Sequence, residues 1–208
     1  MGESRRGTTK TILVLLGVTV VLTLGTWLVM GSEPRLGPLD GSDLPGVDTG
    51  RVAVGDVAPD FSLPDARGKT HRLSDFQGKR VVLYFYPRDM TPGCTKQACG
   101  FRDHFATYTE EGVEIIGVSP DPPESHEEFA AEHNLPFLLL ADVGVEASRA
   151  YGVYGERVRD GKTSMGIIRT TFLIGPDGQI ERVIRDIQTE THAVDVLKML
   201  GGGEDSDT

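Results

Sequence analysis

Six consecutive residues at 81–86, VVLYFY, carry no polar group beyond two tyrosine hydroxyls. A strand with one face in water alternates apolar and polar side chains, so an unbroken run of this kind reads as a central strand buried on both faces. Pro87, Pro92 and Gly93 then turn the chain, and a helix is expected over 92–108 with Ala98, Phe101, Phe105 and Tyr108 on one face. A doubly covered strand feeding a helix points to a layered α/β domain.

The same alternation continues through 51–200. VEIIGVS (113–119) and PFLLLAD (136–142) read as further buried strands. PESHEEFAAEH (123–133) reads as an amphipathic helix with Pro123 in its first turn, and VEASRAYG (145–152) as a short helix ending at Gly152. RTTFLIG (169–175) and QIERVIRD (179–186) flank Pro176-Asp177-Gly178, a hairpin signal. ETHAVDVLKML (190–200) closes the domain as a helix. The order implies a mixed central sheet with helices on both faces, and it resembles the thioredoxin-like layout with an inserted strand and helix.

Ahead of this domain, residues 11–30 contain no charge. Twenty helical residues span roughly 30 Å, the thickness of a bilayer's hydrocarbon core. Arg5, Arg6 and Lys10 precede the run and acidic residues follow it, so residues 1–10 are expected in the cytoplasm and the domain outside, on a single-pass transmembrane helix in the cell membrane. A cleaved signal peptide is the alternative, but the run is long for one and no A-x-A-like site follows Met30. Residues 31–50, rich in Gly, Pro and Asp, read as a flexible linker, and 201–208 as a disordered tail.

A net charge of −10 argues against a nucleic-acid partner, which needs a basic surface to neutralise phosphates. Two cysteines, Cys94 and Cys99, exclude a disulfide-rich scaffold and leave one reversible bond or two free thiols.

Cys94 lies at the strand-to-helix junction. A thiol in the first helical turn faces unpaired backbone N–H groups and the positive end of the dipole, which favours the reactive thiolate. Bringing a thiol from near 8.5 to about 6 requires roughly 3.4 kcal/mol, and a helix end supplies about 0.3–1. A hydroxyl such as that of Thr91, and an arginine brought in by the fold, are expected to supply the rest.

The segment PRDMTPGCTKQAC (87–99) resembles the active-site motif of the peroxiredoxins: Pro, three residues, Thr or Ser, two residues, Cys. The likeness extends over nearly all of 51–200, including VGDVAPDFSLPD and RTTFLIGPDG. TPGCT with a second cysteine five residues on resembles the bacterioferritin-comigratory, or Q-type, subgroup. The resemblance implies a thioredoxin-like fold and reduction of hydrogen peroxide and organic hydroperoxides. It makes Cys94 the peroxidatic cysteine and Cys99 the resolving one. Pro87 would shield the sulfur, Thr91 would hydrogen-bond both sulfur and peroxide, and Arg169 would be the active-site arginine. A thioredoxin-like dithiol protein would be the reductant, with no cofactor and a monomeric state. The N-terminal anchor departs from the usual pattern.

A thiol–disulfide oxidoreductase would want C-x-x-C, whereas four residues separate these cysteines. A redox-switched binding module is the non-enzymatic alternative. Taken singly, Pro87 and Thr91 are ordinary turn residues, the five histidines are scattered, and His104 with two thiols makes a poor zinc site. Tyr84, Phe85 and Tyr86 are expected in the core, and Asp89 and Lys96 in solvent.

Overall fold

The computed structural model describes residues 52–159 and 162–201. In chain order these form β1 (Ser62–Pro64), β2 (Thr70–Arg72), a 3-10 turn (Leu73–Phe76), β3 (Arg80–Phe85), α1 (Pro92–Asp103), α2 (Phe105–Glu110), β4 (Val113–Ser119), α3 (Pro123–His133), β5 (Leu138–Ala141), α4 (Glu146–Ala150), β6 (Tyr154–Arg159), β7 (Lys162–Ile167), β8 (Thr170–Ile174), β9 (Ile180–Ile184) and α5 (His192–Leu200). The anchor at 11–30, the flanking segments 1–10 and 31–50, and the tail beyond Gly201 lie outside the described residues. Among those described, no helix is long and apolar enough to cross a membrane.

The main sheet has the order β5-β4-β3-β8-β9. β3 pairs in parallel with β4 and antiparallel with β8, so the sheet is mixed and the apolar run is its middle strand. Successive side chains point to opposite faces. Val81, Leu83 and Phe85 enter one core, while Val82, Tyr84 and Tyr86 enter the other. Each such fully buried side chain contributes roughly 1.5–3 kcal/mol. Phe101 of α1, Phe129 of α3 and Val196 of α5 cover the second face. The first is covered by Leu63 of β1, Leu73 of the 3-10 turn and Ala147 of α4.

Several expectations needed correction. The helix expected over 92–108 breaks at His104, whose φ of −108° and ψ of 9° leave the helical region. The break separates α1 from α2, where Tyr108 turns inward and donates to the Ala193 carbonyl at 2.6 Å. β1 and β2 leave almost no signal in the sequence, because three-residue strands have no period to read. Their turn is held by the Asp65 carboxylate, which accepts from the Arg67 and Lys69 N–H groups at 2.8 and 2.9 Å. The β6–β7 hairpin is likewise beyond the sequence expectation: polar residues mask its alternation, although Asp160-Gly161 between the strands is a turn signal.

The α3 helix matches its expected bounds, with Pro123 in its first turn. Around Pro176-Asp177-Gly178, β8 and β9 form the expected hairpin, and Gly178 supplies a φ of +81°.

Candidate active site

β3 carries the chain out at the carboxyl end of the central strand, where Tyr86 is still buried and Pro87 half-buried. Met90 then takes a left-handed φ of +56°, unusual for a residue with a side chain. Thr91 is extended and serves as the N-cap residue, and Pro92 opens α1, where a missing N–H costs nothing. The Thr91 hydroxyl donates to the Arg88 carbonyl at 3.0 Å. It therefore braces the turn, and the hydrogen bond expected between Thr91 and the Cys94 sulfur is not made.

Cys94, Gln97, Ala98 and Phe101 are the buried positions of α1, the i, i+3, i+4, i+7 stripe of a helix lying on a sheet. Cys94 is 2% exposed. As the third helical residue it lies in the turn whose N–H groups have no intrahelical acceptors. Arg169 comes from the residue just before β8. Antiparallel pairing of β8 with β3 sets Thr170 opposite Phe85, so Arg169 arrives where the Cys94 turn leaves the sheet. Its Nη2 donates to Cys94 Sγ at 3.1 Å, and its Nη1 donates to the side-chain Oε1 of Gln97. A guanidinium aimed at sulfur supplies the cation that a helix end alone lacks.

Cys99 is half-buried, and both cysteines are free thiols. Both sit on the continuous α1. Five helical residues give a rise of about 7.5 Å and a turn of about 140°, which sets the Cα atoms roughly 8.7 Å apart. A disulfide needs about 7 Å or less with converging Cβ directions, so the intact helix cannot close one.

Two participants had not been singled out. Gln97 holds Arg169, and its signal was its position three residues after Cys94 on the same face. Asp89 was expected in solvent but is 4% exposed. Its carboxylate accepts from the Tyr86 and Ser125 hydroxyls, each at 2.7 Å, and from His126 Nδ1 at 2.8 Å. Burial pushes its pKa up, but the hydrogen bonds from His126, Tyr86 and Ser125 outweigh this and hold it below the usual carboxylate range. Lys96 is solvent-exposed as expected, paired with Glu190 at 2.7 Å. Among the described residues, no group of three or more His, Cys, Asp and Glu side chains is placed to hold a metal ion.

The fold agrees with comparisons to known proteins. The AhpC/TSA family profile matches residues 54–183. Peroxiredoxin Bcp of Escherichia coli is 49% identical over 149 residues, covering 72% of this chain and 96% of that protein. The chain belongs to the Q-type, bacterioferritin-comigratory peroxiredoxins.

Peroxiredoxin Bcp of Bacillus subtilis is 45% identical over 149 residues, covering 72% of this chain and 95% of that protein. The structure of Xanthomonas campestris peroxiredoxin Q superposes with a TM-score of 0.65 at 35% identity, over 69% of this chain and 90% of that one. This peroxiredoxin is therefore a thiol peroxidase on a thioredoxin-like fold with a mixed central sheet.

Proposed function

We propose that this peroxiredoxin reduces hydrogen peroxide and organic hydroperoxides through Cys94, with Cys99 resolving the oxidised form. The observation that carries the assignment is the Arg169 guanidinium on Cys94 Sγ, in the first turn of α1. The Cys94 thiolate attacks one peroxide oxygen and the O–O bond breaks. The second oxygen leaves as water or alcohol after taking a proton. Arg169 and the first-turn N–H groups stabilise the charge moving between the oxygens.

Cys94 is then a sulfenic acid. The Cys99 thiol condenses with it, releasing water and forming a disulfide. A dithiol protein of the thioredoxin type exchanges with that bond, returning both thiols and leaving with its own disulfide. No cofactor enters the cycle.

The same reading tethers the monomeric domain outside the cell membrane. Its support is the charge-free run 11–30 with basic residues before it and acidic ones after.

Peroxide consumption by Cys94→Ser and Cys99→Ser, with a thiol-specific sulfenic acid trap, tests the roles. Cys94→Ser should lose turnover and trap nothing. Cys99→Ser should consume one equivalent of peroxide and accumulate the trapped acid. Turnover by Cys94→Ser above a few per cent of the parent rate would sink the assignment.

A further inference from the structure

Asp89 takes no part in the chemistry above, yet it binds the active-site turn to three neighbouring elements. Tyr86, the residue after β3, donates its hydroxyl to Asp89 Oδ1 at 2.7 Å. Ser125 and His126, in the first turns of α3, donate to Oδ2 at 2.7 and 2.8 Å. A carboxylate only accepts, so His126 Nδ1 carries a proton. The Asp89 N–H donates to Asp121 Oδ2 at 2.8 Å, and that oxygen also accepts from Ser119 at the end of β4 at 2.7 Å. Tyr86, Ser119 and His126 are fully buried. Backbone and side chain of one residue are thus tied to β3, β4 and α3.

The tie stops abruptly. Met90, the next residue, holds its φ of +56° and is 40% exposed, and Thr91 already occupies the N-cap position of α1. A sparsely populated backbone conformation persists only where its surroundings impose it. Here the imposing group is Asp89 on one side, and the Thr91 hydroxyl bonded to Arg88 on the other.

We propose that Asp89 is a positioning residue that holds the closed start of α1 and limits its opening. The inference rests on the peroxidase reading above, in which α1 must open for Cys99 to reach Cys94. The opening pivots at Met90, where backbone strain is released. It does not run back into β3, because Asp89 stays bound to β4 and α3. After the disulfide is reduced, α1 re-forms from a fixed stem and returns Cys94 to Arg169. Weakening the tie favours the open form, so it slows attack on peroxide, which needs the closed site, and does not slow disulfide formation, which needs the open one. General structural damage would slow both.

The test has two parts, both on the full chain. First, reduced and peroxide-oxidised protein are compared by hydrogen exchange, with the Cys94–Cys99 bond verified by mass. Exchange should quicken across 93–102 and stay unchanged across 84–89, where the Tyr86 and Asp89 N–H groups are bonded. Second, Asp89→Asn is compared with Ser125→Ala, which removes one hydrogen bond from the α3 side and leaves the turn sequence intact. Sulfenic acid formation, measured in a Cys99→Ser background, should slow by about fivefold for the loss of one hydrogen bond. Disulfide formation, measured with Cys99 present, should hold its rate or quicken.

Quickened exchange at 84–89 in the disulfide form overturns the proposal, as does equal slowing of both steps in Ser125→Ala. Failure to find the bond by mass would bring down the resolving role of Cys99 and the inference with it, an outcome distinct from the other two.

Discussion

Arg169 Nη2 lies 3.1 Å from Cys94 Sγ, although 75 residues separate the two in sequence. The approach depends on the β3–β8 pairing and is steadied by Gln97, which accepts from the other end of the guanidinium.

Arg169→Ala should therefore slow peroxide consumption by at least about tenfold, since a hydrogen bond to a charged group contributes roughly 1.5–3 kcal/mol. Gln97→Leu should give a smaller loss in the same direction, restored by Gln97→Glu. An unchanged rate for Arg169→Ala would make the arginine structural.

Gly117 should not tolerate a methyl group. A Cβ there would lie 2.6 Å from the Tyr84 hydroxyl oxygen and 2.8 Å from Leu139 Cδ2. Tyr84 cannot swing away, because it is buried with its ring 5.0 Å from that of Phe101. Overpacking of this kind costs roughly 1–3 kcal/mol, so urea unfolding of Gly117→Ala should show a lower midpoint with an unchanged slope.

His192 gives the fold an acid sensitivity. It is buried beside Phe101, lies 2.9 Å from the Thr171 hydroxyl, and burial lowers its pKa from 6.5 to about 4. Above pH 6.5 the ring is neutral in both folded and unfolded chains. As pH falls from there toward 4, the unfolded chain binds a proton that the native one refuses, so stability drops, in total by about 3 kcal/mol. Unfolding free energies measured at stepped pH should show this loss, and His192→Asn should flatten it. A parent slope that survives the substitution would assign the loss to another group.

Oxidation should loosen α1. The estimated 8.7 Å between the cysteine Cα atoms exceeds disulfide reach, so its first turns must unwind at a cost of a few kcal/mol. Loss of helical far-ultraviolet signal should follow peroxide addition in the parent and be absent in Cys99→Ser. Equal signals, with the disulfide confirmed by mass, would contradict an unwinding step.

For the N-terminal run the expected result is that the full chain partitions with membranes and resists alkaline carbonate extraction. A chain beginning near Gly50 should be soluble and retain peroxidase activity. Recovery of a soluble mature form starting near residue 31 would establish cleavage instead.

Local patterns in the sequence determined a good deal. The VVLYFY run determined a doubly buried strand, because burial on both faces removes every position where a polar residue is tolerated. Apolar spacing and Pro123 marked α3, and the 94–99 spacing placed two thiols on one helix too far apart to bond. These are properties of residues within a few positions of one another. What depends on distant segments was decided only by the tertiary structure. Antiparallel register set Thr170 against Phe85 and so brought Arg169 to the sulfur. Packing of α3 and the end of β4 around the turn buried Asp89, a residue whose charge alone had placed it in water. The break at His104 likewise serves Tyr108, whose hydroxyl partner at Ala193 lies 85 residues away. Side-chain chemistry states what a residue can do, but only the neighbours supplied by long-range pairing decide whether a carboxylate is solvated or held by three donors.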